Sequence, residues 1–210
     1  MPITPDLLKN IDDVRRRLGF LSVAETLQLN ELGNTIVDPF STLIGRQVQI
    51  GHGNLFYPAV TIECSGEGSV LIGSNNTFHS GTRIQSENGV VEIGDDNQFG
   101  DGGFIARSNR SAAIKIGNGG RYTSGATIVG NTALGSGSQV LGPITVENCE
   151  LGEGETFAHP DPDLRAAVLK GQGRARGIKI SAGEVIAGQG PFDPGSVQRQ
   201  TDFHPKIAPE

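Results

Sequence analysis

The chain has 210 residues, enough for one sizeable domain with terminal appendages. Its formal net charge is −6, which disfavours nucleic acid as a general partner, because proteins that grip phosphate backbones are basic. Glycine supplies 31 residues and tryptophan none; the usual glycine share is about 7%, so the composition points to a chain that turns often rather than to a helical bundle.

The only cysteines, Cys64 and Cys149, form no CxxC pattern, which argues against a disulfide framework or a zinc site and for a reducing compartment. No apolar run approaches the roughly 18 residues of a membrane span, and the first residues lack the apolar core of a signal peptide. The expectation is a soluble cytoplasmic protein with no membrane span.

Residues 1–40 read as an N-terminal helical segment. Thr4 can cap a first helix with Pro5 and Asp6 in its first turn. Leu7, Ile11, Val14 and Leu18 then share one face, a stripe that needs cover from this protomer or from a neighbouring chain. Arg15, Arg16 and Arg17 fall mostly off that face and read as a solvated helix end. Ser22 and Glu25 have capping-box spacing for a second helix, and Gly33 is a stop signal.

Residues 41–160 carry a repeat. Ile50-Gly51-His52-Gly53-Asn54-Leu55-Phe56 returns as Ile72-Gly73-Ser74-Asn75-Asn76-Thr77-Phe78. Further copies are Ile93-Gly94-Asp95-Asp96-Asn97-Gln98-Phe99 and Ile116-Gly117-Asn118-Gly119-Gly120-Arg121-Tyr122. A third anchor follows six residues after each aromatic: Ile62, Ile84, Ile105 and Ile128. Six residues per anchor suits a short strand plus a corner, and three such units make one coil of a parallel β-solenoid with the anchors stacked inside. Asn54, Asn76, Asn97 and Gly120 sit where a tight or left-handed backbone is expected. Extra residues at one corner, including Asn88-Gly89, lengthen the early coils.

Residues 161–210 read as a C-terminal helix or loop. A short helix is expected over 163–170 and a basic glycine-rich loop over 171–177. Ile178, Ile180 and Ile186 suggest strands returning to the solenoid, and the proline-bearing tail beyond Gly190 reads as extended or mobile.

The repeat resembles the hexapeptide-repeat acyltransferases, most closely those that acetylate sugars and polysaccharide precursors. The resemblance covers residues 44–157. It implies a mainly β, left-handed parallel β-helix, with a right-handed coil as the alternative. It also implies a homotrimer with acyl-CoA, such as acetyl-CoA, in a groove between protomers, a histidine as base, and a small sugar-like acceptor. The stretch where such members commonly carry that histidine, Ile105-Ala106-Arg107-Ser108-Asn109-Arg110-Ser111, has none.

The residues offer substitutes. His79 should point outward beside the inward Phe78, with Asp101 one coil on, and a carboxylate-oriented imidazole can deprotonate an acceptor hydroxyl. His52 reads as a turn residue, His159 lies where the repeat breaks, and His204 lies in the tail. Lys170, Arg174, Arg176 and Lys179 fall with Arg165 in an acid-free segment and form the candidate phosphate site for the coenzyme or a nucleotide sugar. No metal is expected, because His52, His79 and His159 lack the spacing of a γ-class carbonic anhydrase centre. The alternative to an enzyme is a non-catalytic solenoid for assembly or ligand binding.

Overall fold

A computed structural model describes residues 4–204. From Thr35 onward the backbone winds as a parallel β-solenoid with three faces. One face stacks Thr35–Ile36, Leu55–Phe56, Thr77–Phe78, Gln98–Gly100, Arg121–Thr123 and Gln139–Leu141. The second runs from Leu43–Ile44 through Ile144–Glu147, and the third is a separate seven-stranded sheet from Gln49–Ile50 to Lys179–Ile180. Coil-to-coil pairing is parallel and in register, as in Leu55↔Thr77 and Phe56↔Phe78.

The inward side is apolar at every level. Phe56, Phe78, Phe99 and Tyr122 are fully buried and stack ring on ring at centroid spacings of 4.9, 5.0 and 5.4 Å. Each such side chain contributes about 1.5–3 kcal/mol by burial. Ile62, Ile84 and Ile128 form a second column, as the period predicts. Ile105 does not join it. Ala106 pairs with both Ile84 and Ile128 and is the buried residue. From Phe78 to the first second-face strand residue, Thr82, the chain takes four steps, but from Phe99 to Phe104 it takes five. The extra corner residue shifts the register by one and turns Ile105 outward, and Phe104 packs against Phe99 in the space beside Ala106.

Asn54, Asn76 and Asn97 also differ from expectation. The left-handed residues are their predecessors Gly53, Asn75 and Asp96, with φ of 70°, 58° and 60°. The asparagines themselves form a fully buried ladder. Each Nδ2 donates to the Oδ1 of the asparagine one coil back, at 3.0 Å from Asn34 to Asn97, and to a backbone carbonyl at 2.9 Å. The ladder ends at Gly120, whose N–H donates to Asn97 Oδ1. A side chain at Gly120 would overlap the Tyr122 hydroxyl, which occupies that space and bonds Ser138 Oγ at 3.0 Å. Burial raises the Tyr122 phenol above its ordinary pKa, against the smaller opposing effect of Ser138.

The solenoid continues past residue 160. In place of the helix expected over 163–170 there is a 3₁₀ turn, Pro162–Leu164, and then a strand, Val168–Arg176. That strand pairs with Gln139–Leu141 on the first face, rounds the corner at Gly171-Gln172-Gly173, and pairs with Ile144–Glu147 on the second. Burial of Ala167, Leu169 and Ala175 in the core outweighs the local helix preference. Glycine is required at this corner: a Cβ on Gly171 would lie 1.9 Å from the Gly188 carbonyl oxygen of the next coil. Ile178, Ile180 and Ile186 are buried in the returning coils. The tail to residue 204 folds back, burying Phe192 and Gln200.

The N-terminal helices are Pro5–Arg17 (α1) and Val23–Gln28 (α2). Thr4 caps α1, and the capping box of Ser22 and Glu25 is complete. Arg15 is not solvated as expected. It is buried, donating to the Pro39 carbonyl at 2.8 Å and to the Thr42 carbonyl. The Ser22 N–H holds the Glu25 carboxyl below its ordinary value of 4.5. Its contribution is therefore full above that value and is lost as pH falls through the lower folded value. Glu25→Ala should destabilise the protein by about 0.3–1 kcal/mol at pH 7, and the gap should narrow at pH 3. Thermal melts at the two pH values test this, and an unchanged gap would contradict it.

Candidate functional site

His79 points outward beside Phe78, half-buried, with its ring stacked on Tyr57 at 4.9 Å and 12°. Asp101 lies on the enlarged corner of the next coil, where Gly100, Asp101, Gly102 and Gly103 all have positive φ. The corner carries Asp101 into solvent, its carbonyl accepting from Ser124 N–H. No hydrogen bond or ion pair joins it to His79, so the structure does not assemble the imidazole–carboxylate pair.

The four basic candidates do not form one patch. Lys170 is on the first face. Arg174 and Arg176 are on the second, both paired with Glu147, Arg174 through two nitrogens. Lys179 is on the third, 2.8 Å from Glu150. The Arg174 hydrogen bond holds the Glu147 carboxyl low, and the Glu150 hydrogen bond raises Lys179. A segment that rounds two corners within ten residues spreads its charges over three sides. The other histidines divide similarly. His52 is exposed at a corner, and the His159 ring bonds within its own turn, to the Asp161 N–H at 3.2 Å. Burial raises both thiols, Cys64 and Cys149, which leaves them protonated near neutrality.

A different cluster is assembled on the first face over the C-terminal coils. A cavity of about 290 Å³ opens there, with Arg121, Arg165 and Lys170 on its walls and Phe157, Phe203 and His204 at its cover. The register explains the grouping. Arg121, Gln139, Val168 and Val185 stack as one outward row, and Thr123, Leu141, Lys170 and Ala187 as the next. Arg121 lies over the Phe157 ring with its guanidinium carbon 4.2 Å from the centroid, and its buried Nε has no partner. Arg165 Nε donates to the His159 carbonyl at 2.7 Å.

The tail is held over the cavity by Gln200, whose Nε2 donates to the Ala166 carbonyl at 2.7 Å, and by the Arg199–Asp163 ion pair at 2.6 Å. Among the described residues none of Arg121, Arg165 and Lys170 has a carboxylate partner. Every acid-paired cation lies elsewhere. No carboxylate among the described residues lines the cavity. Such a space, positive on its walls and apolar at its cover, suits a small anion with an apolar or ring portion.

The two largest of the other concavities are poorer in free charge. The groove along the third face, about 990 Å³, carries Lys115 already paired with Glu92 at 3.4 Å. The groove on the second face holds Glu63, Arg83, Gln85 and Arg107 bonded to one another.

Sequence reasoning missed Arg121, placed Arg165 and Lys170 together in the basic segment, and gave His204 only a place in the tail. Arg121 stands one residue before the inward Tyr122, which marks it as outward; what lies over it depends on the tail.

No protein-family model matches the chain, and no curated protein is significantly similar to it. Among the described residues no three His, Cys, Asp or Glu side chains gather as a metal-binding group, and no helix is long and apolar enough to cross a membrane.

Proposed function

We propose that this protein binds a small phosphate- or carboxylate-bearing molecule in the cavity of Arg121, Arg165 and Lys170, and that its reaction is acyl transfer from acyl-CoA to a sugar-like acceptor. The observation that carries the binding reading is the convergence on one covered cavity of three cations that have no acid partner among the described residues. Acyl transfer rests on the resemblance of the repeat and on the solenoid fold. A volume of 290 Å³ suits an acceptor of sugar-phosphate size rather than a whole coenzyme, since pockets for drug-sized ligands span about 300–1,000 Å³. His204 at the cavity supplies an imidazole for deprotonating a hydroxyl held there. His79, outward and half-buried beside Tyr57, serves a neighbouring protomer's site if the assembly is the homotrimer that the resemblance implies.

The second reading is a non-catalytic binding module, favoured by the lack of a hydrogen bond or ion pair between His79 and Asp101. A hexose phosphate and the same hexose without phosphate distinguish the outcomes. At a hundredfold excess over Kd a ligand stabilises the fold by about 2.7 kcal/mol, so the phosphate should raise Tm and the neutral sugar should not. Equal shifts, or none, would end the anion reading. Release of free thiol from acetyl-CoA in the presence of the sugar phosphate would support transfer; binding without thiol release would favour the module.

A further inference from the structure

Helix α1 is mounted with its polar side inward. Asp12 Oδ1 accepts the Val23 N–H at 2.8 Å at the start of α2. The buried Arg15 is tied to the Pro39 and Thr42 carbonyls. These bonds fix the rotation of the helix about its axis. The apolar stripe consequently faces away from the solenoid: Leu7 is 45% exposed, Val14 45% and Leu18 65%, with Ile11 half-buried between them. The protomer does not supply the cover that the stripe calls for. Leu27 and Leu32, on and just after α2, are exposed at the same end.

The spacing of the stripe says what fits it. Steps of four, three and four residues read the same from either end. A second α1 laid antiparallel sets Leu7 against Leu18 and Ile11 against Val14, the two contacts repeating about a twofold axis. Charge agrees. One flank of the stripe is occupied by Asp12 and Arg15 and sealed against the protomer's own body. The free flank carries Asp6 near the helix start and Arg17 at its end. Antiparallel pairing brings Asp6 towards Arg17 of the other copy and opposes the helix dipoles favourably. Parallel pairing would set the free flank against the flank that Asp12 and Arg15 seal, and would align the helix dipoles unfavourably. We propose that α1 is a self-association surface, and that its occupant is the antiparallel α1 of a second copy of this chain. The contact is independent of the ligand cavity and joins two protomers, or two rings if the solenoid faces form rings.

Cross-linking tests the register. In a Cys64→Ser background, chains carrying Leu7→Cys and chains carrying Leu18→Cys, differing in tag length, are co-expressed and oxidised. The expected product is the mixed disulfide, with neither variant linking to itself. Failure of the mixed disulfide, or self-linking of Leu7→Cys, would overturn the antiparallel pairing. Val14→Glu gives a second readout. Sedimentation should show half the wild-type mass, with unchanged circular dichroism and Tm because Val14 contributes little to the protomer's own packing. An unchanged mass would refute the proposal.

Discussion

Replacing Asn76 with alanine is expected to lower the unfolding free energy by about 3–5 kcal/mol, the sum of two or three buried polar groups left without partners at about 1–3 kcal/mol each. Asn76 is fully buried. Its Nδ2 serves Asn54 Oδ1 at 3.0 Å and the Gly94 carbonyl at 2.9 Å. Its Oδ1 receives the Asn97 backbone N–H at 2.9 Å and Asn97 Nδ2 at 3.0 Å. Removing the amide strips the Gly94 carbonyl and both Asn97 donors of these bonds at a point closed to water. A small cavity adds to the cost. Ser80→Ala, at an exposed corner residue, should change stability by no more than about 0.5 kcal/mol. Denaturant unfolding of the two variants beside the wild type decides the matter. If Asn76→Ala unfolds at the same denaturant concentration as Ser80→Ala, the ladder is not a stabilising element.

Arg121→Ala and Arg165→Ala should each weaken binding of a hexose phosphate by roughly ten- to a hundredfold, because hydrogen bonds to charged groups are worth about 1.5–3 kcal/mol. Arg121 also carries the Phe157 ring, so its removal loosens one part of the cover. Arg174→Ala is the informative control. Its guanidinium is engaged by Glu147 on another face, so it should leave affinity unchanged. Titration calorimetry reads all three. Equal losses for Arg174→Ala and Arg121→Ala would show a diffuse charge effect, and the cavity would no longer be the site.

Much of the scaffold is legible in the residues because it is built from local rules. The aromatic column and the capped helices each follow from spacing and residue type. Where legibility failed, a local preference met a non-local demand. Residues 163–170 favour a helix, but Leu169 and Ala175 find core positions only in a strand. Arg15 resembles a solvated helix end until the carbonyls of Pro39 and Thr42 lie beside it. Asn76 looks like a turn residue until the coils stack and bring Asn54 and Asn97 above and below it.

The candidate site shows the same division more sharply. His79 is outward, as the repeat requires, but no hydrogen bond or ion pair joins it to Asp101 on the glycine-rich corner Gly100–Gly103. The basic run 170–179 is continuous in the chain and scattered on the surface. Arg121, Arg165 and His204 are distant in the chain and gathered over one cavity. The sequence alone determined the solenoid, its inward columns and the amphipathic character of α1, because a repeat repeats its packing. Only the tertiary structure decided which charges meet and which face of α1 is left open. Those outcomes depend on corner lengths and on the folded-back tail, and neither is encoded in the period.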